Sequence, residues 1–317
     1  MRTPSPVPAH LRHRAFARSE ALEAGITPRM LQHPRFELVL PSVYRLRGVE
    51  LTPRQWIAAA HQALPADARL SHATVLWELG LELGGFKPMH FTVARDLHLA
   101  IDDVFLHRTE VMPPSDDRRV SVEAAFVGAA VSMRLIDVIA AGDWLLHREY
   151  MTKASLAAFI ERDSWRPGTA VAREALRWID RRSRSLKESE TRCILVFSGL
   201  PVPELNLDVF GQHGVFLGCG DLVYRRWKVL IEYEGRQHAD DPAQFASDMD
   251  RYARWRADGW EYVQVVQARL HTPRTLVQQV HRVLVNRGYD GVAPVFGAQW
   301  HSLFARSGRA IRGIIAA

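Results

Sequence analysis

Five side chains in the carboxyl-terminal third could do chemistry together: Glu188, Asp221, Glu232, Glu234 and His238. Residues 227–233 alternate as a strand, so Val229, Ile231 and Tyr233 face one way while Leu230, Glu232 and Glu234 face the other. Asp221 lies on the strand-like run just before, 216–224, joined to it by the turn Arg225-Arg226. Three carboxylates this close repel one another unless a cation neutralises them. Hard divalent ions such as Mg²⁺ or Mn²⁺ favour a few carboxylates plus water. An ion so held polarises a phosphodiester and lowers the pKa of its bound water. His238, three residues after Gly235, could act as general acid or base, since an unperturbed imidazole titrates near 6.5. Plainer readings stand beside these. Glu232 and Glu234 could be exposed acids on a solvent-facing strand, Glu188 an acid placed by the dipole of a helix start, and His238 a loop histidine.

These residues need elements to position them. Residues 185–197 read as a helix with Glu188 near its start and Gly199 at its end. Residues 205–209, 216–224 and 227–233 read as three antiparallel strands. A helix then follows, with Asp241 as N-cap, Pro242 at its first position, Phe245, Met249 and Tyr252 inward, and Gly259 closing it. Residues 260–266 form a further strand, and Thr272-Pro273 opens a last helix with Val277, Val280 and Leu284 inward. A strand that returns through a helical crossover predicts a mixed sheet. Asp248 and Arg251, spaced i, i+3, read as a surface or structural pair.

This order and these acids resemble the PD-(D/E)XK nuclease superfamily, most closely its very-short-patch-repair-like branch, over about 100 residues. That pattern runs E-[ST]-x-x-R, a later D, E-x-D-G-x-x-H, F-x-x-D-x-x-R and a G-W before a strand. Here it appears as Glu188-Ser189-Glu190-Thr191-Arg192, then Asp221, then Glu232 to His238 around Gly235, then Phe245, Asp248, Arg251 and Gly259-Trp260. The resemblance implies that Asp221 and Glu232 bind metal, Glu188 supports that shell and His238 assists proton transfer. Glu234 stands where the branch has aspartate, Tyr252 where a second aspartate is common, and Gln264 where arginine is common.

The other end of the chain is basic. Residues 1–48 hold eight arginines against Glu20, Glu23 and Glu37. Residues 19–25 read as a short helix capped by Ser19 and ended by Gly25, and Thr27-Pro28 starts a second helix ending near Pro34. Residues 36–40 and 43–46 form a hairpin around Pro41-Ser42. Helix, turn, helix, hairpin is the plan of a winged helix-turn-helix, which would present Arg29, Gln32 and His33 to a DNA groove, with Arg35 beside them. Ala21, Gly25, Leu31 and the pair Val43-Tyr44 carry a resemblance to the amino-terminal winged helix of type IV abortive-infection antitoxins. Ser42 and Pro34-Arg35 depart from it. A helical cap on the next domain is the plainer reading.

Between the ends, Thr52-Pro53 opens a capped helix, 89–93 alternates as a strand, 104–107 suits a second strand, and helices dominate 122–181. Ser71-His72 and His90 invite a catalytic guess, but no nucleophile–base pair is readable, so the region is assigned scaffolding. The expected organisation is α+β and multidomain: a winged helix at 1–48, a mainly helical middle domain with linker at 49–184, a restriction-endonuclease-like domain with a mixed sheet at 185–290, and a tail at 291–317. Two distant cysteines argue against a zinc or disulfide framework and make a reducing cytoplasm the default. With 24% charged residues and no apolar run long enough to span a bilayer, a membrane protein is not expected. Two readings follow: a Mg²⁺-dependent DNA endonuclease anchored by the winged helix, or a DNA-binding regulator or antitoxin-like protein, with a toxin partner, whose nuclease-like domain no longer cuts.

Overall fold

A computed structural model describes residues 6–234 and 242–306, with the side chains of Gln212 and of 242–248 outside that description. His238 and Asp241 therefore lie outside the described residues. The chain is mixed α/β and divides into two compact units, Met1–Gly128 and Ala129–Ala317. The division falls inside the stretch expected to be one middle domain.

After a 3-10 turn (Ala9–Leu11), the first unit runs through strand β1 (Phe16–Ala17), helices α1 (Arg18–Glu23) and α2 (Pro28–Leu31), and the hairpin β2 (Phe36–Leu40) and β3 (Val43–Leu46). The sheet order is β1-β3-β2, all antiparallel. Thr27 caps α2 by accepting the Met30 N–H, with Pro28 inside the first turn. Ala17, not Ser19, occupies the N-cap of α1. The reason is β1: the chain enters α1 directly from a strand paired with β3, one residue before Arg18 donates its N–H to Ser42 O. Val7, Leu11, Phe16, Ala21, Ile26, Leu31 and Phe36 form one core, with Phe16 and Phe36 edge to face.

Helix α3 (Pro53–Ala63) starts with a capping box between Thr52 and Gln55. Strand β4 (Arg69–Leu70), helix α4 (His72–Glu78), and strands β5 (Met89–Val93) and β6 (Val104–Arg108) follow. Order β4-β5-β6 places β5 centrally, antiparallel to β4 and parallel to β6. This small sheet assembles a histidine cluster. The rings of His72 and His107 stack at 3.6 Å and 9°, and His90 Nδ1 lies 2.9 Å from His107 Nε2. His72 Nδ1 sits 2.9 Å from Ser71 Oγ, which also accepts the Thr92 hydroxyl. His72 has φ of +52°. Its ring lies so close to Gly128 that any Cβ there would stand 2.7 Å from it, so glycine is required at that point.

The second unit carries α5 (Val122–Ala130) only in its last residues, then α6 (Leu135–His147), α7 (Lys153–Arg162), α8 (Thr169–Leu176) and α9 (Leu186–Phe197). Strands β7 (Glu204–Phe210), β8 (Phe216–Tyr224) and β9 (Val229–Glu234) follow, then α10 (Pro242–Ala257), β10 (Glu261–Val266), α11 (Gln267–Leu270), α12 (Pro273–Asn286) and α13 (Ala298–Ser302). The sheet order is β10-β9-β8-β7, with β7, β8 and β9 antiparallel and β10 parallel to β9. The mixed sheet expected from the helical crossover is present. Residues 225–227, expected in part as strand, form a 3-10 turn, and Lys228 follows with φ of +51°.

Val209, Leu217, Val223 and Leu230 pack under Tyr252 and Trp255 of α10, while Leu276, Val277, Val280 and Leu284 bury one face of α12. Met249, expected inward, is exposed, and Phe245 lies among the side chains outside the description. The stretch expected as a tail folds through Arg306: Trp300 and Leu303 are buried, and Leu303 O accepts the Ile136 N–H.

Candidate functional site

Helix α9 brings the first acid into place. Ser185 caps the helix by accepting the Glu188 N–H at 3.1 Å. Glu188 Oε2 in turn accepts the Arg184 N–H at 2.9 Å and Asn206 Nδ2 at 2.7 Å. Glu188 is 7% exposed. Ser189 and Arg192, the other matched residues of the same helix, point elsewhere. Both donate to Asp143 Oδ2 of α6, at 2.6 and 2.7 Å, and Asp143 Oδ1 accepts the Asp180 N–H. That buried knot holds α9 against α6, and Asp143 had no distinguishing mark in the sequence.

Asp221 sits where the sheet loses its regularity. On β7 and β8, Leu205 pairs with Leu222 and Leu207 with Gly220, leaving Asn206 opposite Asp221. Asn206 has φ of +46°. Gly218 and Gly220 abut Arg251, Trp255 and Leu230, yet Val223 joins the same cluster. Residues 220 and 223 cannot share a face in a regular pleat, so the side-chain alternation slips by one residue at Asp221. Such irregularities re-aim a side chain. Here the slip sets Asp221 within reach of three elements. Its Oδ2 accepts the Tyr233 N–H of β9 at 3.0 Å. Burial, then the negative charge of Glu188, push its carboxyl up to about 6. The Tyr233 N–H and the charges of Arg251 and Arg184 oppose that rise.

Glu232 lies on β9 one step beyond the Leu222–Ile231 pair, across from Asp221. It is 5% exposed, which removes the solvent-facing reading for this acid. Its Oε2 accepts Arg251 Nη2 of α10 at 2.9 Å. Arg251 thus reaches across to the sheet, stacking over the rings of Tyr252 and Trp255 on the way, and the side chain of Asp248, its expected helix partner, lies outside the described residues.

Glu234 takes a different environment. The Tyr252 hydroxyl, the Tyr262 hydroxyl at 2.6 Å and the Gln264 side-chain amide all donate to its carboxylate. Burial and the bond to Glu234 raise the Tyr252 phenol to about 12, and Tyr262 is raised by the same causes. Both phenols stay protonated as donors. Tyr252 and Gln264 depart from the pattern the sequence resembles, as Glu234 itself does, and both donate to Glu234. The structure therefore brings the buried Glu188 and Glu232 and the half-buried Asp221 into one acidic region bounded by Arg251, and engages Glu234 with neutral donors. Among the described residues no group of three or more His, Cys, Asp and Glu side chains is arranged to hold a metal ion.

At the other end, Arg29, Gln32 and His33 are exposed and Arg35 is half-buried over the Phe36 ring. Helix α2 is a single turn, so Gln32 is its C-cap, and His33 Nδ1 accepts the Arg35 N–H. No helix among the described residues is long and apolar enough to cross a membrane.

No family model matches the chain, and no solved structure matches it. It is similar to an uncharacterized protein of Mycobacterium tuberculosis strain CDC 1551 and to one of strain H37Rv. Each is 29% identical over 140 residues, which cover 44% of this chain and 51% of the relative. The chain thus spans about half the length of the curated relatives it matches.

Proposed function

We propose that the chain is a metal-dependent DNA endonuclease of the PD-(D/E)XK type, with a basic amino-terminal winged helix as its DNA anchor. The observation that carries this reading is the Asp221 carboxyl. It is half-buried beside Glu188, opposite Glu232, and raised to about 6, first by desolvation and then by the charge of Glu188, a perturbation of the kind that clusters at functional sites. A hard divalent ion fits such a donor set, since Mg²⁺ is commonly held by one or two carboxylates plus water. Asp221 and Glu232 would hold it, and Glu188 would add its field from α9. When bound, the ion would polarise a phosphodiester and supply hydroxide from its water near neutral pH. The chain's own residues do the positioning: the Tyr233 N–H fixes Asp221, Arg251 fixes Glu232, and Asn206 with Arg184 fixes Glu188.

A second reading has its own observation. Arg251 already neutralises Glu232, and Glu234 is engaged by two phenols and an amide. That arrangement suits a DNA-binding regulator or antitoxin-like protein whose nuclease-like unit no longer cuts. Incubating full-length protein with supercoiled plasmid and Mg²⁺ or Mn²⁺ separates the two. The endonuclease reading expects nicking that falls at least about 100-fold in both Asp221→Ala and Glu232→Ala, the scale on which loss of electrostatic stabilisation acts. Cleavage unchanged in both variants overturns it, and DNA binding without cleavage under all conditions selects the regulator.

A further inference from the structure

Beyond Glu261 the chain changes character. Residues 262–317 hold seven arginines and no lysine against a single acid, Asp290. Four of those arginines, Arg269, Arg274, Arg282 and Arg287, lie on α11, on α12 or at its C-cap. Helix α12 has no acid in its first turn and buries its Leu276, Val277, Val280 and Leu284 face. Its opposite face meets the following segment in a groove of about 470 Å³, lined by Gln278, His281, Arg282, Val285, Pro294 and Phe296. Arg274 extends the groove's wall, lying over the Phe296 ring at 5.3 Å and the Trp300 ring at 5.5 Å. Its Nη2 is 3.4 Å from His301 Nε2.

Arg282 is exposed. Among the described residues neither Arg274 nor Arg282 has a carboxylate partner. Two exposed arginines without a carboxylate partner beside a flat ring suit an anionic ligand. Guanidinium groups of this kind pair with phosphate oxygens, and adjacent rings accept sugars or unstacked bases. A groove of about 470 Å³ has room for a backbone phosphate with its flanking sugars.

We infer that the groove on the outer face of α12 binds a DNA backbone, with Arg274 and Arg282 contacting phosphates and Phe296 forming the apolar wall. The choice of DNA among polyanions rests on the endonuclease reading. The groove itself rests on its own charge and shape. It gives the second unit a hold on the substrate that does not pass through the amino-terminal arginines.

The test is fluorescence anisotropy with full-length protein and a labelled DNA duplex in EDTA, so that binding is read without cleavage. Arg282→Glu should weaken binding at least about tenfold at moderate salt. It should also flatten the dependence of log K on log salt by about 0.9 for each phosphate that is no longer neutralised. Arg282→Lys should restore most of the affinity, because a positive charge is what the phosphate requires. The exposed position leaves folding intact, checked by an unchanged melting temperature. Arg282→Glu with unaltered affinity and slope overturns the groove, as does competition by a polyglutamate peptide as effective as that by DNA. Asp221→Ala separates the two proposals. It should bind DNA normally in EDTA while failing to cleave in Mg²⁺; binding that needs Arg282, with cleavage indifferent to Asp221, would keep the groove and discard the endonuclease.

Discussion

Replacing His107 with phenylalanine keeps a flat ring on His72 and removes one proton-binding site from the histidine cluster of the first unit. His107 is pushed down to about 4, first by burial and then by the charge of His90, and His72 and His90 are lowered by the same burial. The charges acting on His72 and His107 come from other members of the cluster, and no carboxylate opposes them. The folded protein thus holds His107 neutral, while the unfolded chain binds a proton near 6.5. Stability is fully present above 6.5 and is lost as the pH falls toward 4. Below that, both states carry the proton and the loss stops. The gap between 6.5 and about 4 amounts to about 3 kcal/mol in all, of which about 2.5 kcal/mol is lost by pH 4.5. Hydrogen exchange of β5 and β6 amides reads this locally, and comparison with His107→Phe at each pH cancels the intrinsic exchange rate. The wild type should lose protection between pH 7 and 4.5 by a further factor of about 50–100 relative to the variant, that energy expressed as an opening equilibrium. Parallel loss in both proteins would refute the account, placing the acid-sensitive step outside the histidine stack.

Other expectations follow from the same kind of reasoning. Arg192→Met strands the Asp143 carboxylate, which is 1% exposed, and should cost about 3–5 kcal/mol in denaturant unfolding of the second unit. A loss under about 1 kcal/mol would mean the knot between α6 and α9 is dispensable. Arg29→Ala combined with Arg35→Ala should weaken DNA binding across sequences and flatten the salt slope by about 1–2. An unaltered slope would discard the amino-terminal anchor.

How much of this was legible in the sequence depended on range. Caps and strand runs are local: Thr27, Thr52 and Ser185 accept the N–H groups that their positions imply, and strand β8 occupies the run its apolar residues mark. Ser19 failed as a cap because a partner strand 26 to 28 residues on, at Val43 and Tyr44, had already claimed the preceding residues. Alternation correctly placed Glu232 and Glu234 on one strand, but it could not foresee their different partners, which arrive from α10 and β10. Nor could it register the slip at Asp221, which lies opposite a left-handed residue on another strand. The histidine cluster was half visible: Ser71, His72 and His90 stood out by type. Only the parallel pairing of β5 with β6 brought His107 onto His72.

The left-handed Asn206 has a consequence of another kind. Strand β7 is an edge of its sheet, and an unbroken edge is a template for another chain to add to. At Asn206 the strand turns out of line, and its side chain is tied to Arg182 O and to Glu188 Oε2. The carboxylate of Glu188 therefore also helps to hold the kink that spoils this edge for strand addition. Substituting Glu188 would relax that kink along with the acidic region, so a Glu188 variant that lost activity would first have to be shown to remain monodisperse.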